Sequence, residues 1–116
     1  MAGCWERYAS GSTLTEAAGV DVFTRIHAGD DAARTAVDEW SRWVGIGLAN
    51  LANALDPEAF VIGGGVVDNA TEFLGSVADH MAAATYSADR RRLPRVLAAQ
   101  LGVRAGAIGA ALLGRD

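Results

Sequence analysis

Three consecutive glycines, Gly63-Gly64-Gly65, follow the apolar run at residues 59–62 and precede a helical pattern. Glycines at such a turn let the backbone approach a ligand without side chains in the way, and the amides of the next helix point back towards it. This arrangement suits a nucleotide. The triplet is neither a G-x-G-x-x-G fingerprint nor a lysine-bearing phosphate loop, so the local pattern alone favours a tight structural turn over ligand contact.

A second group of reactive side chains lies near the start of the chain, in the stretch CWERYASG at residues 4–11. Cys4 could bind a metal, but zinc needs about four ligands, and the chain has one cysteine and two histidines without CxxC or HxxxH spacing. The local pattern favours a buried, inert thiol for Cys4 and a solvated or helix-capping carboxylate for Glu6. No Ser-His-Asp or Cys-His arrangement is visible, so His27 and His80 are expected to be surface or hydrogen-bonded histidines.

The composition indicates one globular domain. With 116 residues the chain can form one hydrophobic core, and apolar and charged fractions of 51% and 21% exclude a disordered chain. A net charge of −4 gives no attraction to nucleic acid or anionic lipid, and no apolar stretch reaches the roughly 18 to 20 residues of a membrane-spanning helix. A single cysteine agrees with a reducing compartment. We therefore expect a soluble, cytoplasmic protein with no membrane and no nucleic-acid partner.

The apolar residues predict a helix-rich α/β chain around these groups. From residue 31 to 55 they recur at intervals of three and four, which predicts one long helix, capped by Asp30 or Asp31 and ended at Asp56-Pro57. Within it, Gly45 and Gly47 indicate close crossing by another element. Residues 59–62 and 96–101 predict two strands, too few for an alternating α/β sheet, so further strands are expected to be missing from this chain.

The remaining segments predict shorter elements. Asn69 and Glu72 resemble a capping box, so a helix is predicted to begin near Asn69, with Phe73, Val77 and Met81 on one face. Short helices are predicted at residues 5–9 and 12–18, with Ser12 or Thr13 and Glu16 as capping groups, and another apolar turn at residues 22–26. Residues 85–95, including the arginine run at 90–92, predict a solvated loop, and residues 105–113 predict a helix of small residues.

Three ordered stretches together resemble the ROK family of repressors and sugar kinases, typified by bacterial glucokinase. They are GCWERYASG at residues 3–11, GIGLANLANALDPEAFVIGGGVV at 45–67 and GAIGAALLG at 106–114. The resemblance implies a partial carboxy-terminal lobe of an actin-like ATPase (ribonuclease H-like) fold, helix-rich and with few strands. It also implies transfer of the γ-phosphoryl group of ATP, with magnesium, to the 6-hydroxyl of glucose or a related hexose.

The resemblance implies roles for individual residues. Glu6 matches the glutamate that hydrogen-bonds sugar hydroxyls, and Gly63, Gly64 and Gly65 match the turn beside the adenosine end of ATP. Cys4 matches the last of three cysteines that, with a histidine, hold a structural zinc near the sugar site. No residue of the chain matches the aspartate that acts as the family's general base, so the resemblance assigns no catalytic residue here.

Several parts of the family pattern are absent from these 116 residues. They are the Asp-x-Gly-Gly-Thr phosphate loop of the amino-terminal lobe, the Glu and His that the family's Gly-His segment supplies to the sugar site, and the other two zinc cysteines. We therefore expect residues 1–116 to be the carboxy-terminal part of a longer kinase, inactive alone and unable to hold zinc, with Met1 an internal methionine or a misplaced start. Uncovered apolar surface predicts a homo-oligomer. The alternative is the ligand-sensing lobe of a ROK-type transcriptional repressor.

Overall fold

The computed structural model describes residues 3–114, without the side chain of Asn69. Met1, which we expect to be an internal methionine or a misplaced start, and Ala2 lie outside the described residues. The described elements follow one another in this order: α1 (Glu6–Ala9), α2 (Gly11–Ala18), α3 (Val22–His27), α4 (Asp31–Leu55), β1 (Ala59–Ile62), α5 (Gly65–Asn69), α6 (Phe73–Ala84), β2 (Arg95–Ala98), a 3-10 turn (Gly102–Arg104) and α7 (Ala105–Leu113). No helix among the described residues is long and apolar enough to cross a membrane.

The long helix α4 has the predicted bounds. Asp30 caps its start, because the Asp30 carboxylate accepts a hydrogen bond from the Ala33 amide at 3.0 Å. That bond, together with the Arg25 guanidinium, lowers the pKa of Asp30. At the other end Asp56 adopts a left-handed conformation with φ of 47°, immediately before Pro57, and stops the helix.

The hydrophobic core lies between α4 and α6. Val37, Val44 and Leu48 of α4 meet Val77 and Met81 of α6, and each of these side chains is at most 7% exposed. Burying an apolar side chain of this size contributes about 1.5 to 3 kcal/mol. These contacts therefore hold the two helices together.

The predicted apolar face of α6 is confirmed, and that of α4 is confirmed as far as Leu48. Leu51 and Leu55, predicted to continue it, are 41% and 71% exposed, because α4 extends beyond α6 at this end.

Gly45 shows how closely the two helices approach. A Cβ atom at Gly45 would lie 2.7 Å from the His80 Cβ and 2.9 Å from the Met81 amide nitrogen. Two residues further on, a Cβ at Gly47 would overlap the indole ring of Trp5. Both glycines of α4 thus mark close approaches, of α6 at Gly45 and of the Trp5 side chain before α1 at Gly47, and the predicted close crossing by another element is confirmed.

The two strands form a parallel sheet with Phe60 opposite Val96 and Val61 opposite Leu97. One face, with Phe60 and Val96, packs on the core, whereas Val61 and Leu97 on the other face are 67% and 39% exposed. The second strand was predicted to extend to residue 101, but it ends at Ala98. The physical reason is that β1 ends at Ile62, so the chain beyond Ala99 meets no further strand among the residues that the structure describes.

Tryptophan side chains hold the first helices against α4. Trp5 donates a hydrogen bond from Nε1 to the Trp43 carbonyl at 2.6 Å, and Trp40 donates one to the Ser10 carbonyl at 2.9 Å. The Tyr8 and Trp43 rings stack with centroids 4.7 Å apart. These contacts explain how a four-residue helix at the start of the described chain keeps a fixed position.

Two predicted helix starts are wrong. Asn69 ends the short helix α5 instead of beginning α6, which starts at Phe73 with Glu72 as its N-cap and without a side-chain cap. Helix α2 is capped by Ser10, whose Oγ accepts the Thr13 amide, and not by Ser12 or Thr13. In the first case the Glu72 carboxylate binds His27 across the fold and accepts a hydrogen bond from its own backbone amide, which lowers its pKa, instead of pairing with Asn69 in a capping box.

At the end of the described chain, α7 has no buried residue. Its bounds match the predicted helix of small residues. Val103 before it and Leu113 within it are 94% and 85% exposed. Apolar surface is therefore uncovered here, as the sequence led us to expect.

Candidate functional site

The glycine triplet forms the turn between β1 and α5. The Ala99 amide donates to the Ile62 carbonyl at 2.8 Å and fixes the point at which the chain leaves the sheet. Gly64 has a φ of 106°, a conformation that other residues rarely adopt, and Gly65 begins α5. All three glycines are exposed, and the Gly64 carbonyl accepts a hydrogen bond from the Asp68 amide at 3.1 Å within the first turn of α5.

Two clefts lie beside this turn. We call the first the outer cleft; it has a volume of about 350 Å³ and lies between Leu14, Val20 and Phe23 on one side and Gly65 and Val66 on the other. The second, the inner cleft, has a volume of about 420 Å³ and is lined by all three glycines together with Trp5, Leu48 and Val61. Both volumes fall in the range of small-molecule sites.

The contact between Gly11 and Val66 divides the two clefts. Both residues line both clefts, and a Cβ atom at Gly11 would lie only 2.8 Å from Val66 Cγ2. The start of α2 therefore lies directly on α5. This close approach brings the first helices of the chain next to a turn more than 50 positions further along the sequence.

Glu6 lies on α1 and is exposed. It lines a separate polar cleft of about 300 Å³ with Ser10, Ser12, Thr13 and Glu16. Its neighbour Trp5 lines the inner cleft, so α1 touches the space beside the glycine turn and the polar cleft at once. The structure thus brings the segment around Glu6 close to the glycine turn. Glu6 and the three glycines, however, line different clefts.

Cys4 is exposed and unpaired with another cysteine, so the expectation of a buried thiol is wrong. Because α1 begins only two residues later, no element of the described chain covers it. Residues 3–114 contain no group of three or more His, Cys, Asp or Glu side chains that could hold a metal ion. These residues therefore do not supply a structural zinc site around Cys4.

Both histidines bind carboxylates on neighbouring elements, a set of contacts that local patterns did not predict. His27 Nε2 lies 2.9 Å from Glu72 Oε1, which links α3 to the start of α6. Asp38 accepts a hydrogen bond from Ser76 Oγ at 2.7 Å and lies 3.1 Å from His80 Nε2. The Ser76 hydroxyl and then His80 lower the pKa of Asp38. These contacts join helices and lie away from the glycine turn.

The prediction of a solvated arginine run holds for the exposed Arg90 and Arg92 but is wrong for Arg91. Its guanidinium donates to the Ala52 carbonyl at 3.1 Å and pairs with the Asp56 carboxylate. A cation at the end of a helix satisfies free carbonyls and interacts favourably with the helix dipole. Arg91 therefore holds the loop of residues 85–94 to the end of α4, a role that only the tertiary structure reveals.

Comparison with known proteins identifies the class. The sequence model of the ROK family matches residues 1–116. Glucokinase from Streptomyces coelicolor is 32% identical over an alignment of 140 positions, gaps included, which covers 98% of this chain and 44% of that protein. The xylose repressor of Bacillus subtilis is 26% identical over 115 residues, covering 92% of this chain and 30% of that protein.

Solved structures agree. A ROK family glucokinase from Streptomyces griseus, determined in complex with glucose and AMPPNP, superposes with a TM-score of 0.87 at 34% identity, covering 97% of this chain and 45% of that chain. The protein belongs to the ROK family, and its fold is a partial lobe of the actin-like ATPase fold. The chain spans less than half the length of these relatives.

Proposed function

We propose that residues 3–114 form the part of an ATP-dependent hexose kinase that contacts both substrates, with glucose as the first candidate sugar. In this proposal Glu6 accepts hydrogen bonds from sugar hydroxyls, and Gly63, Gly64 and Gly65 lie against the adenosine end of ATP. The observation that carries the proposal is the superposition on the Streptomyces griseus glucokinase, which was solved with glucose and an ATP analogue. The exposed backbone of the glycine turn and the exposed Glu6 carboxylate support it.

Phosphoryl transfer depends mainly on positioning the substrates and neutralising charge. Magnesium would neutralise the phosphate charge in the whole kinase. The chain's own contribution is to bind: a carboxylate on α1 orients the sugar, and a turn without side chains lets the nucleotide lie against the backbone. General-base catalysis needs a group within hydrogen-bond reach of the sugar hydroxyl, and no residue of this chain matches the family's base. We therefore propose that the 116-residue polypeptide does not turn over by itself.

The first experiment tests the binding role of Glu6 directly. Saturation-transfer NMR on the 116-residue chain should detect weak glucose binding, and Glu6→Gln should weaken it about tenfold, because a charge-assisted hydrogen bond contributes more than a neutral one. Glu58→Gln, at another exposed glutamate, is the matched control and should leave the signal unchanged. Equal signals from both variants would refute the sugar role of Glu6.

The second experiment measures turnover. Purified 116-residue chain with glucose, ATP and magnesium should show no ADP formation above background in a coupled assay. Measurable glucose-dependent turnover would contradict the proposal that the general base lies outside these residues.

We also propose that the protein self-associates and acts in the cytoplasm. The exposed side chains of Val61, Val103 and Leu113 leave apolar surface open, which favours burial against another surface. Light scattering across a range of concentrations should show species larger than 12.0 kDa. A single species of monomer mass at every concentration would exclude the homo-oligomer.

A second candidate function is the ligand-sensing lobe of a ROK-type transcriptional repressor, and the similarity to the Bacillus subtilis xylose repressor favours it. The genomic sequence upstream of Met1 discriminates between the two. An in-frame segment with an Asp-x-Gly-Gly-Thr phosphate loop supports the kinase, whereas one with a helix-turn-helix supports the repressor.

A further inference from the structure

A further pocket lies between α3, α4 and the start of α6, and its described lining includes none of the three glycines of the turn. We call it the side pocket. Its floor is apolar, with the buried Val37 and Phe73 and the half-buried Phe23 and Ile26. Its volume of about 250 Å³ is below the roughly 300 to 1,000 Å³ of most ligand sites. The side pocket therefore suits a ligand the size of one amino acid.

Three charged side chains surround the mouth of the side pocket. Arg34 and Asp38 belong to α4, and Glu72 is the N-cap residue of α6. Residues four positions apart are neighbours on one helix face, so Arg34 and Asp38 lie on the same side of α4. Even so, no ion pair joins them, and within residues 3–114 the exposed Arg34 guanidinium has no hydrogen-bond or ion-pair partner. The mouth thus presents one unpaired cation next to an anion.

The two carboxylates at the mouth are charged and reachable from solvent. The side chains of Asp38 and Glu72 are 62% and 60% exposed. The pKa of Asp38 is lowered by Ser76 and then His80, and that of Glu72 by its own backbone amide and then His27. Both described partners of Asp38 contact its Oδ1 atom. Among the described residues, Asp38 Oδ2 therefore has no hydrogen-bond partner and can accept one from a ligand.

A cation and an anion side by side above an apolar floor match a small zwitterion with an apolar side chain. We propose that the side pocket binds a free apolar amino acid, whose carboxylate pairs with Arg34 and whose ammonium group pairs with Asp38 Oδ2. A guanidinium binds a carboxylate through two parallel hydrogen bonds, which favours Arg34 for that end. Exposed ion pairs contribute little, so most of the affinity comes from burying the ligand's side chain. This inference does not depend on the sugar or nucleotide roles proposed above.

The experiment is an amide chemical-shift titration of the 116-residue chain with leucine and three analogues. Leucine should shift the amides of Arg34, Asp38 and Ser76. Isocaproate lacks the ammonium group and leucinamide lacks the carboxylate, so each should bind about threefold to fivefold more weakly, the change expected from losing one exposed ion pair. Glycine lacks the apolar side chain and should bind at least about tenfold more weakly.

Two variants assign each end of the ligand to one side chain. Arg34→Gln should weaken leucine binding about threefold to fivefold and leave leucinamide binding unchanged, because leucinamide has no carboxylate to lose a partner. Asp38→Asn should weaken leucine binding by a similar factor and leave isocaproate binding unchanged. Arg95→Gln in β2 and Asp79→Asn in α6, both at exposed residues outside the pocket, are the matched controls and should have no effect.

Four results would overturn the inference. One is the absence of leucine-dependent shifts at the side pocket up to the solubility limit. Another is isocaproate or leucinamide binding as tightly as leucine, because the zwitterion would then not be recognised. A third is an equal loss of leucine and leucinamide binding in Arg34→Gln, which would indicate a change of structure instead of a lost contact. Finally, shifts that follow protein concentration and not leucine would assign the side pocket to contact with a second copy of the chain.

Discussion

Helices α4 and α7 each contain a pair of glycines among apolar residues, but the two pairs lie in opposite environments. Both contain glycine pairs within runs of alanine and leucine. In α4, Gly45 lies under α6, and a Cβ atom there would lie 3.0 Å or less from three atoms of that helix. In α7, a Cβ at Gly106 or Gly109 would meet nothing within 4 Å. Small residues on a helix therefore permit close packing without ensuring it, and the partner element decides whether the space is used.

The largest expected effect on the free energy of unfolding comes from comparing a buried side chain of α6 with an exposed side chain of α7. Met81 of α6 is 1% exposed, so Met81→Ala should lower the free energy of unfolding by about 2 to 5 kcal/mol through a lost contact and a cavity. Leu113→Ala in α7, at a side chain 85% exposed, should change it by less than about 0.5 kcal/mol. Urea unfolding of both variants measures the difference. Equal losses would show that α7 is covered in solution.

Gly45 of α4 and Gly109 of α7 allow the same substitution to be compared in the two environments. Gly45→Ala should lower the free energy of unfolding by about 1 to 3 kcal/mol, because the added methyl group forces α4 and α6 apart. Gly109→Ala should raise it by about 0.5 to 1 kcal/mol, because alanine favours the helix and meets no neighbour. The same substitution thus has opposite signs at the two sites. A stabilising Gly45→Ala would mean that the two helices can separate at little cost.

A smaller effect is expected at Ser41, on the buried face of α4. Its Oγ is fully buried and has no hydrogen-bond partner among the described residues. Removing an unsatisfied buried hydroxyl relieves a desolvation cost, so Ser41→Ala should stabilise the fold by up to about 1 kcal/mol. Thermal unfolding compares it with wild type. A clear loss of stability would reveal a partner for the hydroxyl.

The smallest effect concerns the polar edge of the α4 and α6 pair. The folded-state pKa of Asp38 is lowered by Ser76 and then His80, so its stabilising contribution is present above the unfolded pKa of about 4. The contribution is lost as the pH falls through the lower folded value. Unfolding free energy should therefore decrease between about pH 5 and pH 3, less steeply in Asp38→Asn. Asp79→Asn, at an exposed carboxylate of α6, is the control. If Asp38→Asn left the dependence of unfolding free energy on pH unchanged, that result would contradict the role of this contact.

The sequence predicted the elements whose signals are local. The bounds of α4 follow from its apolar period and from the capping chemistry of Asp30 and the stop at Asp56, all within one helix. The glycine turn after β1 was found for the same reason. The local pattern did not assign a ligand to this turn. Its nucleotide role was implied only by the family resemblance, which depends on the order of three stretches along the chain.

Features that depend on distant partners escaped prediction. Glu72 resembled a helix cap, but its carboxylate binds His27, 45 positions away. Arg91 resembled a solvated residue, but it reaches Ala52, 39 positions away. The two clefts beside the glycine turn could not be predicted either, since they exist because α2 packs on α5. In each case a tertiary contact outweighed the local preference of the residue.

The contact between Gly11 and Val66 has a consequence for the shape of the empty space in the molecule. Val66 Cγ2, held against the bare backbone of Gly11, is the wall between two compartments that both open onto the glycine turn. A shorter side chain at residue 66 is expected to widen the gap between the two clefts. The Val66 side chain thus helps to keep the outer and inner clefts apart.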